Sequence, residues 1–128
     1  MIAVLDTHAV IWVVEKDARL GLGARNLIEH AQTKELAISD MTLLEIAILA
    51  DKKRIVLQTS ATEYLRQIER LFEVVPVNSR ISGNAFELDL PHADPFDRVI
   101  VATAAYLKLP LVTRDGNITL SKVHEVVW

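Results

Sequence analysis

Short continuous apolar runs alternate along this chain with segments of helical periodicity, and this alternation limits the folds open to it. The first run, Ile2 to Leu5, is typical of a strand that is buried on both faces of a parallel sheet. Parallel strands need crossover connections, which are usually helices. The alternation therefore predicts a three-layer α/β/α domain with a central parallel sheet of about five strands.

The chain of 128 residues fits a single domain that spans residues 1–128. The predicted strands are Ile2–Leu5, Glu35–Ser39, Glu73–Val77, Leu111–Thr113 and an edge strand at Val123–Trp128. The predicted helices are Ala9–Val14, Ala24–Thr33, Thr42–Ala50, Ala61–Leu71, Ile81–Leu88 and a long helix from Asp94-Pro95 to Leu107 that follows a loop at Leu90–Ala93. The strongest start signal is Asp94 at the N-cap with Pro95 at the first helical position.

The composition excludes several classes of protein. A hydrophobic content of 51% and a charged content of 24% indicate an ordinary globular protein with a core. The chain has no cysteine, which rules out disulfides and thiolate metal sites and is compatible with the reducing cytoplasm, where we expect the protein to act. We find no signal peptide and no apolar run that could span a bilayer, so no membrane association is expected.

Two carboxylates lie at the ends of predicted strands. Asp6 ends the first strand, and Asp115 comes shortly after the run at Leu111–Thr113. In open α/β sheets, ligands bind outside the carboxyl ends of the strands. Each residue also has a structural alternative, because Asp6 could cap the next helix and Asp115 could serve in a turn before Gly116.

Glu45 lies in the segment Thr42–Ala50, which is apolar on nearly every side. We expect this helix to be largely buried. An ionised carboxylate in such a place is costly unless it is paired or binds a metal. The alternatives are an ion pair with a nearby Arg or Lys, or a side chain whose head reaches water.

Asp94 and Asp97 lie one turn apart at the start of the long helix. Both could be purely structural, since Asp94 suits an N-cap and Asp97 suits the positive end of the helix dipole. Asp97, however, shares a face with Ile100, Val101 and Ala104 and should lean toward the mouth of the sheet. We therefore choose Asp97 as a ligand and Asp94 as a cap.

Taken together, these carboxylates predict a metal site at one edge of the sheet. Carboxylate ligands without cysteine suit Mg²⁺ or Mn²⁺, which commonly act on phosphates. The net charge of −3 argues against a nucleic-acid partner. If four of the 17 acidic residues are ligands, however, 13 remain against 14 basic ones, and bound cations would add positive charge where a phosphate must lie.

Other residues have weaker patterns. Arg98 and Arg114 each flank a predicted ligand, and they either hold a substrate phosphate bidentately or form ion pairs that orient the carboxylates. His8 is interpreted as a residue that supports the ligands or lies in a turn, and Trp12 as a core or interface residue. The remaining histidines are interpreted as surface or loop residues: His30, His92 and His124.

The order of these segments resembles the four motifs of PIN-domain proteins, and more narrowly of VapC-type toxins of bacterial and archaeal type II toxin–antitoxin (VapBC) systems. The resemblance covers essentially the whole chain, and four motifs in order at this length are specific. Asp40 and Met41 stand where small or polar residues are common in the family. The matching segments are Leu5-Asp6-Thr7-His8, Ile38-Ser39 with Leu44-Glu45-Ile46, Pro91 to Arg98 running into Ile100–Ala104, Leu111 to Asp115, and the ending at Trp128.

The resemblance implies an endoribonuclease that depends on Mg²⁺ or Mn²⁺ and cleaves single-stranded RNA. It also implies a homodimer that is neutralised by a small antitoxin, which often places a basic side chain in the acidic site. Thr7 and Thr113 would position carboxylates or the substrate phosphate. By motif, the catalytic and metal-binding residues would be Asp6, Glu45, Asp97 and Asp115, with Asp94 as a further ligand in the paired form of the third motif.

Three other functions share parts of this pattern. A haloacid-dehalogenase-like phosphatase needs a second Asp two residues after Asp6, where this chain has His8. A response-regulator-like receiver needs a Lys after a late strand, where this chain has Thr113-Arg114-Asp115. The third is a catalytically silent PIN-like module that mainly binds a partner protein, and the retention of all four carboxylates argues against it.

Overall fold

The structure, a computed structural model, describes residues 1–91 and 93–128. The prediction that His92 is a surface or loop residue therefore lies outside the described residues. The described strands are β1 (Ala3–Leu5), β2 (Leu36–Ser39), β3 (Glu73–Val75), β4 (Leu111–Val112) and β5 (Val126–Val127). The described helices are α1 (Thr7–Val14), α2 (Leu22–Glu29), α3 (Asp40–Asp51), α4 (Ala61–Leu71), α5 (Ser79–Ala85), α6 (Pro95–Leu107) and α7 (Gly116–Ser121).

The five strands form one parallel sheet in the order β3-β2-β1-β4-β5. The chain moves outward from β1 to β3 and then returns to the other side of β1 to form β4. The boundary between β1 and β4 is thus the topological switch point, where open α/β sheets bind their ligands. The register there pairs Val4 with Leu111 and Leu5 with Val112.

Both faces of the sheet are covered by helices. Ala3 and Leu5 of β1 belong to a buried cluster that includes residues of α1, α2 and α4. Val4, which points to the opposite face, packs in a second cluster that includes Ile100 of α6 and Ile118 of α7. This alternation along one strand confirms the predicted three-layer α/β/α fold with a parallel sheet.

Helix α3 is less buried than its sequence suggests, and the prediction that it is largely buried is wrong. Only Thr42 and Ile46 are fully buried along it. Leu44 is 52% exposed, and Glu45 is half-buried. An apolar composition on all sides indicates burial only if neighbours cover all sides, and here the packing of the helix against α6 and α4 leaves Leu44 exposed.

Helix α7 is not predicted by the sequence pattern. Its six residues include Gly116, Asn117 and Thr119, which have low intrinsic helix propensity, and only Ile118 is buried. Other differences are shifts of element ends by a few residues. The shift that matters for the site is at α1, which begins at Thr7 rather than at Ala9 because Asp6 caps it.

Trp128 is packed closely against the start of α2. The main-chain N–H of Gly23 donates to the main-chain oxygen of Trp128 at 3.2 Å. A Cβ added at Gly21 would lie 2.6 Å from the indole Cδ1 and Nε1 of Trp128, so only glycine permits this approach. The Trp128 ring also meets Trp12 of α1, with the ring centroids 5.6 Å apart.

We predict that Gly21→Ala destabilises the protein by about 1–3 kcal/mol, because the added methyl group overpacks the Trp128 indole. The free energy of unfolding from urea titrations checks this. Gly83→Ala is the matched control, since a Cβ at Gly83 in α5 meets nothing within 4 Å. Equal stabilities for the two variants would contradict the packing argument.

Candidate active site

The switch point brings two strand ends and their carboxylates together. The Asp6 main-chain N–H donates to the Val112 carbonyl oxygen at 3.0 Å, which ties the end of β1 to the end of β4. The Thr113 hydroxyl, which is buried, donates to Asp6 Oδ2 and accepts from the Asp115 main-chain N–H at 3.0 Å. One threonine therefore fixes Asp6 and the backbone of Asp115 in the same place.

Asp6 and Asp115 also cap helices. Asp6 Oδ1 accepts from the Ala9 N–H at 2.9 Å at the start of α1. Asp115 Oδ1 accepts from the Ile118 N–H at 3.1 Å at the start of α7. The structural alternatives considered for these residues are therefore real features of the fold. They do not compete with a role in the site, because each carboxylate oxygen can accept more than one hydrogen bond or cation.

Glu45 reaches the same place from α3. The Thr7 hydroxyl, which is 2% exposed, donates to Glu45 Oε1. Thr7 Oγ1 also lies 3.5 Å from Thr42 Oγ1, and Thr42 is fully buried. The glutamate is thus held by a hydroxyl at the start of α1, next to Asp6, and the described residues form no ion pair with it within 4.0 Å.

Asp94 and Asp97 enter from the start of α6. Asp94 is the N-cap, as predicted, and its Oδ1 accepts from the Asp97 main-chain N–H at 2.8 Å. Asp94 is exposed, whereas Asp97 is half-buried. The capping bond places Asp97 one turn deeper than Asp94.

These side chains line one cavity of about 340 Å³. It holds every carboxylate that the sequence selects, together with one of the two predicted arginines. The lining residues are Asp6, Thr7, His8, Trp12, Glu45, Asp94, Asp97, Arg114 and Asp115.

Comparison with known proteins shows the family to which the chain belongs. The family model for the PIN domain matches residues 3–125 of the chain. The chain belongs to the PIN domain family. It is 34% identical over 115 residues to the ribonuclease VapC22 of Mycobacterium tuberculosis (strain ATCC 25618 / H37Rv), a match that covers 89% of this chain and 87% of that protein.

Solved structures of other proteins share the fold of this PIN domain. VapBC-1 from nontypeable Haemophilus influenzae gives a TM-score of 0.71 at 15% identity, with 98% of this chain and 96% of that chain covered. A toxin–antitoxin complex from Klebsiella pneumoniae gives 0.67 at 22% identity, with 98% and 96% covered. The sarcin–ricin loop cleaving toxin VapC20 of Mycobacterium tuberculosis gives 0.67 at 19% identity, with 98% and 99% covered.

The carboxylates of this PIN domain are partly buried in the cavity and repel one another. Burial raises the pKa of Asp97 to about 7, and the charges of Asp94, Asp115, Glu45 and Asp6 add to the shift. Burial also raises the pKa of Glu45 and of Asp6, although hydrogen bonds from Thr7 and Thr113 act in the opposite direction. The site therefore holds more negative charge than its surroundings compensate.

The donor set fits a divalent cation that prefers oxygen. Carboxylates from separate elements of the PIN domain are the ligands that Mg²⁺ and Mn²⁺ take, and a bound cation would relieve their repulsion. Among the described residues, no three His, Asp or Glu side chains are arranged closely enough to enclose a metal ion as they stand.

The structure places Arg98 away from this cavity. Its guanidinium donates to the carbonyl oxygens of Ala85 at 3.2 Å, Leu88 at 3.3 Å and Leu90 at 2.8 Å. The expectation that Arg98 holds a substrate phosphate or orients the carboxylates does not match these contacts. Arg98 instead fixes the segment that leads toward α6, because its guanidinium donates to three main-chain carbonyls of that segment.

His8 lines the cavity, in agreement with the interpretation that it supports the ligands, whereas Trp12 is not connected with the site in the sequence analysis. The spacing of four residues was a usable signal, because residues i and i+4 share one face of a helix. The predicted helix starts at Ala9 and leaves His8 outside it, so the prediction does not show that His8 and Trp12 share a face. Trp12 is a core residue, as interpreted, with 7% of its surface exposed, and it also lines the cavity.

The raised pKa of Asp97 predicts a pH-dependent stability in the absence of metal. The pKa of Asp97 is 3.8 in the unfolded chain and about 7 in the folded protein. At pH values between these two, Asp97 binds its proton more tightly in the folded protein than in the unfolded chain. The stabilisation is present below pH 4 and is lost as the pH rises toward 7. Asp97→Asn should therefore raise the free energy of unfolding, relative to the parent, more at pH 8 than at pH 5.

Urea unfolding in EDTA at both pH values measures this difference. Asp51→Asn is the control, because Asp51 is exposed at the end of α3 and lies outside the cavity. If Asp97→Asn shows the same pH dependence as the parent, the carboxylate is not repelled in the way described.

Proposed function

We propose that this PIN domain is an endoribonuclease that hydrolyses phosphodiester bonds of single-stranded RNA and depends on Mg²⁺ or Mn²⁺. The observation that carries the proposal is the convergence of five carboxylates, from the starts of three helices and the middle of a fourth, on one cavity at the sheet's switch point. The identity of 34% with a protein named a ribonuclease supports the substrate class. None of the described helices is long and apolar enough to cross a membrane.

The metal would be held by Asp6, Glu45, Asp97 and Asp115, with Asp94 at the exposed side of the cavity as a further ligand. A bound divalent ion supplies an activated water and positive charge for an in-line displacement at phosphorus. Its charge would also let the phosphate anion approach a cavity that otherwise repels it.

The chain's own contribution is to hold the carboxylates in place before substrate arrives. Thr113 Oγ1 donates to Asp6 and Thr7 Oγ1 donates to Glu45, and both threonines are buried. Each hydroxyl restrains a carboxylate that would otherwise turn away from its neighbours. Groups that are held in this way cost no reorganisation during the reaction.

We further propose that the protein acts in the cytoplasm as the toxin of a toxin–antitoxin pair, binds a cognate antitoxin and forms a homodimer. The shared fold with toxin–antitoxin complexes agrees with this proposal. Large apolar side chains also lie exposed: Leu22 of α2 at 73%, Leu44 of α3 at 52% and Val56, in the connection between α3 and α4, at 83%. Exposed apolar groups of this kind favour a surface that a partner covers.

Light scattering tests the homodimer. The proposal requires a particle of twice the chain mass of 14.3 kDa in the purified, antitoxin-free protein. A particle of the chain mass at all concentrations would contradict it.

Cleavage of a labelled single-stranded oligoribonucleotide tests the activity. EDTA should abolish cleavage, and Mn²⁺ should restore it. Asp6→Asn and Asp97→Asn should each lower the rate by at least about 100-fold, since each removes a charged ligand. Asn keeps the acceptor that caps α1 in the case of Asp6, so circular dichroism should show the parent fold.

Asp51→Asn is again the matched control and should cleave at the parent rate. Calorimetric titration of Mn²⁺ adds a measurement that does not depend on activity, because the parent should bind the ion and Asp97→Asn should bind it much more weakly. Cleavage that persists in Asp6→Asn and Asp97→Asn would overturn the site. Folded protein that never cleaves RNA would favour the partner-binding module.

A further inference from the structure

Arg114 lines the carboxylate cavity without being neutralised by it. Its side chain is exposed at the cavity wall, next to Asp115 in sequence. Among the described residues, the ion pairs within 4.0 Å are Arg19 with Asp17 and Arg70 with Glu63, so Arg114 is not engaged by any of the described carboxylates. A guanidinium beside so many anions would be expected to fold onto one of them unless something else holds it.

Trp12 provides that hold. The Arg114 Cζ lies 5.7 Å from the centroid of the Trp12 ring, within the range of a cation–π interaction. Trp is the aromatic residue that attracts a cation most strongly. An indole competes with the carboxylates for the guanidinium but leaves the guanidinium N–H donors unused.

The Trp12 ring is itself held by packing against other residues. Trp12 is 7% exposed and packs against Trp128, whose indole is held at the start of α2 by the close approach to Gly21. Trp12 therefore cannot follow Arg114 if the guanidinium moves toward the carboxylates. The position of Arg114 depends on a chain of contacts that begins at Gly21.

We propose that Arg114, held over Trp12, binds a phosphate of the RNA strand next to the phosphate that is cleaved, and that Trp12 is the positioning residue for it. The inference rests on the proposed ribonuclease function. A guanidinium presents two parallel N–H donors that match two phosphate oxygens. It is a fixed positive charge at the wall of an anionic cavity, where an RNA strand needs one.

Arg19 offers a matched control on the same ring. Its Cζ lies 5.0 Å from the Trp12 centroid, so it makes the same kind of contact as Arg114. It is, however, held by Asp17 at 2.7 Å and does not line the cavity. Removing Arg19 therefore removes one charge and one cation–π contact without removing the proposed phosphate ligand.

The test measures binding of a fluorescent single-stranded oligoribonucleotide by anisotropy in Ca²⁺, with the recovered RNA run on a gel to verify that it is intact. Arg114→Ala should weaken binding by about tenfold or more. The slope of log Kd against log salt should fall by about 0.7, the value for one phosphate contact on a single strand. Arg114→Lys should recover only part of the affinity, since it keeps the charge but loses the fork.

Trp12→Phe should weaken binding by severalfold although the Arg114 side chain itself is unchanged, because Phe attracts the guanidinium less strongly and holds it less firmly. Arg19→Ala should bind RNA like the parent. In Mn²⁺, the Arg114 and Trp12 variants should raise KM more than they lower kcat, which a loss of fold would not produce. Thermal unfolding verifies that each variant is folded. If Trp12→Phe does not fold, Arg114→Ala alone decides the test.

The outcomes separate this inference from the proposed function. Parent protein that cleaves RNA while Arg114→Ala binds it with unchanged affinity and salt slope overturns the inference alone. Weakened binding in Arg19→Ala equal to that in Arg114→Ala also overturns it, because the effect would then be general charge. Binding that depends on Arg114 in a protein that never cleaves supports the inference and overturns the nuclease proposal. Parent protein that neither binds nor cleaves RNA overturns both.

Discussion

The pairing of β1 with β4 decides where the charged groups of this protein lie. These two strands are far apart in the chain but adjacent in the sheet, and the chain leaves them in opposite directions across it. Helices that follow them start side by side, so their first residues share one crevice. The hydrogen bonds through Thr113 then lock one strand end to the other. Without this adjacency, Asp6 and Asp115 would be ordinary helix caps.

The same adjacency concentrates like charges, and the protein compensates for this only in part. Three helix N-termini point toward the crevice, and their free N–H groups favour negative charge there. Buried threonine hydroxyls favour the ionised forms of Asp6 and Glu45. Burial and mutual repulsion still raise the pKa of Asp97. Functional sites commonly keep such unfavourable arrangements, which the rest of the fold must offset.

The sequence predicts the architecture well because its evidence is local. Short apolar runs mark the strands, and the Asp94-Pro95 pair marks the start of α6 at the position seen in the structure. The carboxylates selected from the sequence also lie together in one cavity. For Glu45, however, the argument relied on a buried α3, whereas the structure leaves Leu44 half-exposed. The residue lies in the site because Thr7 holds it, and no local pattern shows that contact.

Other parts could not be predicted, because they depend on which way a side chain turns. Arg98 and Arg114 both flank a carboxylate in the sequence, yet Arg98 turns to main-chain carbonyls and Arg114 turns to the cavity. The difference depends on the main-chain carbonyls that Arg98 meets and on the Trp12 ring that Arg114 meets. No sequence pattern indicates which of these groups each arginine contacts. Helix α7 is too short to show a periodicity.

The helix caps explain why the site contains both kinds of acidic residue. Asp6, Asp94 and Asp115 each fold back onto the backbone three residues ahead, a turn that suits a side chain with one methylene group. Glu45 starts from the interior of a helix and needs the extra reach. Side-chain length at each position is therefore set by helix geometry as well as by the chemistry. A glutamate at any of the three capping positions would keep the charge but loosen the start of the helix and displace the carboxylate, so charge conservation alone does not preserve this site.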